Sequence, residues 1–153
     1  MTTTQQTPIE QLTSGLGYRQ RQDGIVEFIF TDMTRHTVDV AFAKMVEHDR
    51  LAHQAGQHIR TICAIRGHWI ISPHLISCSI NAAKETPKDL IESIAVVGDN
   101  LTIRVLGGVI RRLTSKARGS IRFFTSEDNA MSWLNQRDNY FNVPLYMNVD
   151  SSE

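Results

Sequence analysis

The feature of this sequence that most constrains its fold is an alternation of short apolar runs with longer segments of helical period. The predicted strands at 59–65 and 93–97 contain successive apolar residues at 62–65 and 94–97, which is typical of strands covered on both faces. After each run, a polar break leads to a segment with apolar residues three and four positions apart. Strands that alternate with helices in this way predict β–α–β units and neighbouring parallel strands.

An antiparallel hairpin is expected before the first of these units. Asp23-Gly24 is a strong two-residue turn signal, and it lies between a predicted strand at 18–22 and another at 25–30. A last strand is predicted at 120–124. We therefore expect an α/β fold with a mixed, mostly parallel five-stranded sheet, an antiparallel edge hairpin and about four helices.

The ends of the predicted helices are marked by capping residues. A hydroxyl or amide oxygen before a helix can accept a hydrogen bond from an unpaired backbone N–H, and such candidates are Thr34 or Thr37, Ser72, Asn100 and Ser126. Pro73 suits the first position of the second helix, which should end before Pro87. Gly56 is expected to end the first helix.

Composition divides the chain into three predicted parts. Its 153 residues are 41% hydrophobic and 21% charged, which fits a single globular domain. Residues 1–16 are predicted to be a flexible polar arm, residues 17–137 the α/β domain, and residues 138–153 an apolar tail. Because the tail is apolar, we expect it to dock on its own domain or on a partner subunit, in the latter case forming a homodimer.

Charge and cysteine content narrow the class of protein. Sixteen Lys and Arg residues balance sixteen Asp and Glu residues, so net charge does not indicate a nucleic-acid partner. No apolar stretch is long enough for a transmembrane segment. Cys63 and Cys78, both in apolar stretches of sequence, are expected to be reduced, buried thiols of a cytoplasmic protein.

The first candidate site is the edge at which the parallel strands end. Ligands of open α/β sheets bind there, and helix N-termini offer N–H groups that attract anions. The candidate ligand-binding residues at this edge are Arg66, His68, Trp69, Asp99, Asn100 and Ser126. They would suit an anionic small molecule, bound with or without catalysis. The competing interpretation is that these residues only form turns and caps.

The second candidate site is a run of basic residues without any acidic residue between positions 100 and 126. The patch comprises Arg104, Arg111, Arg112, Lys116 and Arg118. Helical spacing predicts that Arg104, Arg111 and Arg112 face outward. The residues predicted to face inward are Leu101, Val105, Val109 and Leu113. The patch could attract a phospholipid surface or nucleic acid, but a solvated helix face is the simpler interpretation. Nucleic acid is not expected, because no aromatic residue interleaves with the basic residues.

Motifs for cofactors and catalysis are missing from the sequence. There is no Walker A loop, Gly-x-Gly-x-x-Gly, His-Glu-x-x-His, Cys-x-x-Cys or Gly-x-Ser-x-Gly. His48, His53 and His58 are five residues apart, which rotates neighbours by about 140° around a helix. We therefore expect His48 and His53 to be solvated helix residues rather than metal ligands. We therefore predict no cofactor, no metal ion and no catalytic residue.

The order of the predicted elements resembles the STAS-like fold, named for sulfate transporters and anti-sigma-factor antagonists. The segments that carry the resemblance to small stand-alone bacterial STAS-like proteins are 93–99 (SIAVVGD) and 121–134 (IRFFTSEDNAMSWL). The resemblance covers about residues 18–137. It implies a non-enzymatic regulatory or interaction module that binds a partner protein or a small ligand. The fold also resembles lipid-carrier domains in outline, which adds an apolar ligand beneath the helices as an alternative.

The resemblance also raises the question of a phosphorylation site. Signalling STAS proteins carry an Asp-x-Ser pattern after the central strand, where a kinase phosphorylates the serine. The corresponding stretch of this chain, residues 66–73, lacks the aspartate. Ser72 and Ser77 are the candidate phosphorylation sites, and for Ser72 helix capping is the competing interpretation.

Overall fold

The structure is a computed structural model and describes residues 6–67, 71–110 and 119–141. Within these ranges the chain forms six strands and four helices. The strands are β1 (Glu10–Thr13), β2 (Leu16–Gln20), β3 (Val26–Phe30), β4 (Ile59–Ile65), β5 (Glu92–Val97) and β6 (Ile121–Phe124). The helices are α1 (Arg35–Ala55), α2 (Pro73–Glu85), α3 (Asn100–Ile110) and α4 (Glu127–Phe141).

The six strands form one sheet in chain order, from β1 to β6. The first two pairings, β1 with β2 and β2 with β3, are antiparallel, and the three pairings that follow are parallel. The α/β class, the mixed sheet and the hairpin are therefore confirmed. The expected number of five strands is wrong by one, and the sheet is less dominated by parallel pairs than predicted.

The additional strand is β1, which lies inside the stretch predicted to be a polar arm. Its Leu12 packs against the buried cluster beneath α1, and Thr13 Oγ1 lies 3.0 Å from Thr37 Oγ1 of α1. The prediction missed this strand because its sequence, EQLT, has little β-forming character of its own. Pairing with β2 and packing against α1 stabilise it instead.

Apolar side chains cover both faces of the sheet. On one face the core includes Leu16, Tyr18, Phe28, Phe30, Ala41 and Cys63. On the other face Ile25, Ile62 and Ala95 pack against Ala130 and Leu134 of α4. The three parallel crossovers each lead to the neighbouring strand, and their helices α1, α2 and α3 lie on the first face. The last helix, α4, packs on the second face.

Local signals account for most of the helix boundaries. Thr34 Oγ1 accepts a hydrogen bond from Thr37 N at 3.3 Å, which makes Thr34 the cap of α1. The helix ends at Gly56, whose φ of 63° is readily adopted only by glycine. None of the helices in the described ranges has the length and apolarity needed to span a bilayer.

The inward face of α3 differs from the prediction. Leu101 is 60% exposed and Val105 is 45% exposed, whereas Thr102 is buried. Thr102 packs over Gly98 at the end of β5, and one turn later Leu106 faces the space between α3 and the sheet. This contact with the backbone rotates the helix, so the prediction of an inward position is wrong for Leu101 and Val105. It is correct for Val109, which lines the same space as Leu106. Leu113 lies outside the described residues.

Candidate functional site

A cavity of about 180 Å³ lies between the sheet and the three helices on its first face. It arises from the sequence of α2, which presents the small side chains of Ser79, Ala82 and Ala83 toward the sheet. Protein interiors are normally packed with few voids larger than a water molecule. Small residues in the middle of a layer that otherwise carries Met, Phe and Leu therefore leave a space that the chain does not fill.

The sheet forms the floor of the cavity with residues of the four strands that pair in parallel, β3 to β6. Because side chains alternate between the two faces of a strand, every second residue points into the cavity. The apolar floor residues are Phe30, Cys63, Ile65, Ile94, Val96, Ile121 and Phe123. The thiol of Cys63 is buried, which raises its pKa to about 12 and keeps it protonated. The floor is thus apolar and chemically inert.

The helices form the roof of the cavity. From α1 come long, flexible or aromatic side chains, Phe42 and Met45, and from α3 come Leu106 and Val109. Met side chains adapt readily to cavities of irregular shape. The roof can therefore adjust to a bound molecule without a change in the sheet.

The polar residues of the cavity lie toward the end where the parallel strands begin. Thr61 and Glu92 are buried near the starts of β4 and β5, and Thr86 lies at the end of α2. Asp49 of α1 also contributes to the lining. The cavity is therefore apolar along most of its length and polar at one end.

At the opposite edge of the sheet, where the parallel strands end, two of the predicted ligand-binding residues form helix caps. Asp99 Oδ1 accepts a hydrogen bond from Thr102 N at 2.7 Å, so Asp99 rather than Asn100 caps α3. Asn100 is the exposed first residue of that helix. Ser126 Oγ accepts from Asn129 N at 3.4 Å. N–H groups at both helix starts are thus already bonded to side chains of the chain itself.

The other residues predicted at this edge are not brought into a pocket. Arg66 is exposed, and its guanidinium lies 3.9 Å from Glu127 Oε2. His68 and Trp69 lie outside the described residues. Among the predicted edge residues that the structure describes, none lines the cavity. The carboxylates of Asp99 and Glu127 place negative charge at the edge predicted to hold an anion.

The predicted basic patch and phosphorylation sites are described only in part. Arg104 is exposed on α3, as predicted, whereas Arg111, Arg112, Lys116 and Arg118 lie outside the described residues. Ser72 Oγ accepts a hydrogen bond from Leu75 N at 3.1 Å and caps α2. Ser77 is exposed on α2.

A buried polar cluster lies under α4 on the other face of the sheet. His58 Nε2 and Arg137 Nε both lie 2.9 Å from Ser93 Oγ, and His58 Nδ1 lies 3.7 Å from Asp138 Oδ1. These residue types could suggest a catalytic triad. Ser93, however, is completely buried, so a substrate has no access to it. The cluster therefore joins α4 to the sheet rather than forming an active site.

The histidines of α1 also differ in their surroundings. His48 Nε2 lies 2.6 Å from Tyr18 OH, and burial lowers the pKa of His48 while raising the pKa of Tyr18. His53 is exposed beside Asp89 at 2.8 Å. The expectation that both are solvated holds for His53 and is wrong for His48, because Tyr18 of the neighbouring sheet reaches it.

Residues 19–138 match a family described as a domain of unknown function (DUF7793). This chain belongs to the DUF7793 family. No curated protein and no solved structure matches it. The matched segment begins within β2 and ends within α4, so the cavity and the buried cluster both belong to the DUF7793 domain.

The sequence contained a signal for the cavity that motif analysis does not detect. In the DUF7793 domain of this chain, Ser79, Ala82 and Ala83 occur at helical spacing on the side of α2 that faces the sheet. Small residues on a core-facing side of a helix indicate either close packing or unfilled space. The separation between α2 and the sheet decides between these, and the sequence of α2 alone does not contain that separation.

Proposed function

We propose that this chain is a non-enzymatic binding module of STAS-like fold whose ligand is a small, mainly apolar molecule held in the cavity. The observation that carries the proposal is the cavity itself, about 180 Å³ in volume between the sheet and α1, α2 and α3. An engineered apolar cavity of about 150 Å³ binds benzene. A single ring or a short aliphatic chain is therefore the expected size of the ligand.

The energetics of an unfilled cavity support this proposal. Burial of apolar surface stabilises a protein by roughly 25 cal/mol per Å². A ligand in the cavity would cover apolar side chains of its floor and roof, such as Ile94, Val96 and Leu106. It would also gain free energy from the burial of its own apolar surface.

The distribution of polar residues supports a ligand with one polar group. Floor residues such as Cys63 and Val96 are apolar, whereas Thr61 and Glu92 lie at the end of the cavity where the strands begin. A polar group on the ligand would be hydrogen-bonded there and would be poorly solvated at the other positions. The proposed ligand is thus amphipathic, with its apolar part beneath α2.

A regulatory role follows from the position of the cavity. Its roof consists of α1, α2 and α3, whose outer sides face solvent and are available to a partner protein. A bound molecule would fix the positions of these helices relative to the sheet. The affinity for the partner would then differ between the ligand-bound and ligand-free protein.

The anionic ligand at the carboxyl edge of the sheet is the less favoured alternative. Asp99 and Ser126 already accept hydrogen bonds from helix N-terminal N–H groups. An anion would have to displace these caps and approach the Asp99 carboxylate. The cavity needs no such rearrangement.

The proposal is tested by filling the cavity from α2. Thermal unfolding is measured with increasing indole, a compact aromatic probe, for the original protein and for Ala82→Phe. The control is Asn81→Phe, which adds the same ring on the exposed side of the helix. We expect indole to raise the melting temperature of the original protein and of the control, and not that of Ala82→Phe. Equal shifts in all three proteins, or no shift in any, would contradict the proposal.

A further inference from the structure

Three side chains that commonly ligate transition metals meet between α1 and α2, away from the cavity. Asp39 Oδ1 lies 2.6 Å from His74 Nε2, and Cys78 Sγ lies 3.5 Å from the same nitrogen. The sulfur is 3.9 Å from Asp39 Oδ1. The three donor atoms thus form one compact triangle.

The helical geometry of the chain explains why these side chains meet. His74 and Cys78 are four residues apart on α2, so they lie on the same side of the helix, one turn from each other. Asp39 lies in the first half of α1, which packs beside α2. The triangle therefore depends on two packed helices and not on a mobile loop.

We propose that Asp39, His74 and Cys78 form a binding site for a divalent transition-metal ion, with zinc as the preferred ion. Zinc binds thiolate, imidazole and carboxylate ligands in tetrahedral geometry, with bonds of roughly 2.0–2.3 Å. Such bonds place neighbouring donor atoms about 3.3–3.6 Å apart. Both distances from Cys78 Sγ are close to these values. Only the hydrogen-bonded pair of Asp39 and His74 has to separate, by about 0.7 Å, when an ion replaces the shared proton.

The choice of ligand types favours zinc over magnesium or calcium. A cysteine sulfur and an imidazole nitrogen are soft or intermediate ligands, whereas magnesium and calcium prefer oxygen ligands. Three protein ligands leave a fourth position, which water or another molecule would occupy. Side-chain exposures of 53% for Asp39 and 22% for His74 leave room for that fourth ligand.

A nucleophilic cysteine activated by histidine is the alternative chemistry, and the geometry argues against it. In a catalytic triad the histidine contacts the nucleophile through one ring nitrogen and the acid through the other. Here Asp39 and Cys78 both approach Nε2 of His74. Three donor atoms, one from each side chain, are thus gathered in one place, which fits the coordination of a single metal ion.

One charged neighbour opposes the binding of a cation. Arg35 lies one turn before Asp39 on α1, close enough to act on Cys78 electrostatically. The site is partly exposed, so water and salt screen this repulsion. The direct bonds from three ligands outweigh a screened charge at a distance.

The site is tested with the full chain, freed of metal and prepared without a polyhistidine tag. Zn²⁺ binding is measured by calorimetry, and Co²⁺ is used as a coloured substitute. We expect one ion per chain and, with Co²⁺, a thiolate-to-metal charge-transfer band. In His74→Gln and Cys78→Ser the affinity should fall by at least about tenfold. The charge-transfer band should disappear in Cys78→Ser.

An exposed histidine–carboxylate pair elsewhere among the described residues offers a matched control. His53 Nε2 lies 2.8 Å from Asp89 Oδ1. In His53→Gln the affinity for Zn²⁺ and the Co²⁺ spectrum should be unchanged. Asp39→Asn provides a further variant, and circular dichroism confirms that each variant is folded. A missing charge-transfer band in the original protein, or equal affinity in Cys78→Ser, would overturn the proposal.

Discussion

Ser93 Oγ lies 2.9 Å from His58 Nε2 in a completely buried position, and Arg137 donates to the same oxygen. The hydroxyl can accept from Arg137 and donate to Nε2, so we assign the hydrogen of the neutral imidazole to Nδ1. Nδ1 then faces Asp138. One hydroxyl group thereby links the start of β4, the start of β5 and the last turns of α4.

Replacing Ser93 by Ala should destabilise the domain. The substitution leaves the imidazole of His58 and the guanidinium of Arg137 without this buried partner, at a cost of about 1–3 kcal/mol. Chemical denaturation measures the free energy of unfolding. The control is Ser77→Ala, which removes an exposed hydroxyl from α2 and should change stability by less than about 0.5 kcal/mol. Equal effects of the two substitutions would contradict the proposed link.

Stability should fall as the pH is lowered toward 4, because His58 is buried as the neutral form. Burial lowers the pKa of His58 to about 4, whereas an unfolded chain would titrate near the usual 6.5. Between these values the unfolded state binds more protons, so acid favours unfolding. The contribution is fully present above pH 6.5 and is lost as the pH falls toward 4. From pH 6.5 to 5 it amounts to about 2 kcal/mol.

The pH prediction is checked by urea denaturation at both pH values. In His58→Gln this part of the pH dependence should disappear, and in His53→Gln, where the histidine is exposed, it should remain. The difference between variant and original protein isolates His58 from the other titrating groups. A pH dependence that is identical in His58→Gln would show that this histidine is not the responsible group.

Asp99→Ala should destabilise α3 more than Asn100→Ala does. The carboxylate of Asp99 accepts the N–H of Thr102 at 2.7 Å, and loss of such a cap costs typically about 1 kcal/mol. Asn100 is exposed and lies within the helix, so its truncation should have little effect. Thermal unfolding measures how much stability each variant loses. A larger loss of stability in Asn100→Ala would show that Asn100, the residue suggested by the sequence, caps α3.

Features that depend on neighbouring residues in the chain could be predicted from the sequence. The hairpin at Asp23-Gly24, the strand at 59–65, and the caps Thr34 and Ser72 all follow from local patterns, and the structure confirms them. The turn of the hairpin has three residues, 22–24, rather than the predicted two. Each depends on the conformational preference of one or two residues. Such preferences act in the same way in nearly every tertiary setting.

Features that depend on distant contacts could not be predicted. β1 is stabilised by pairing with β2, and the orientation of α3 by the contact of Thr102 with Gly98. The pair His74 and Cys78 is visible on one helix, but Asp39 joins it only because α1 packs beside α2. The cavity likewise depends on contacts between distant parts of the chain, because α1, α2, α3 and the sheet all contribute to its lining.

The most direct measurement of the central claim is an NMR spectrum that locates a bound molecule within the protein. With indole as the probe, intermolecular nuclear Overhauser effects should connect its protons to methyl groups of Ile94, Val96 and Leu106, which line the cavity. These signals should be lost in Ala82→Phe and retained in Asn81→Phe. Signals that involve only exposed methyl groups, such as those of Leu51 or Leu101, or no signals at all, would contradict the claim that this domain binds small apolar molecules in its cavity.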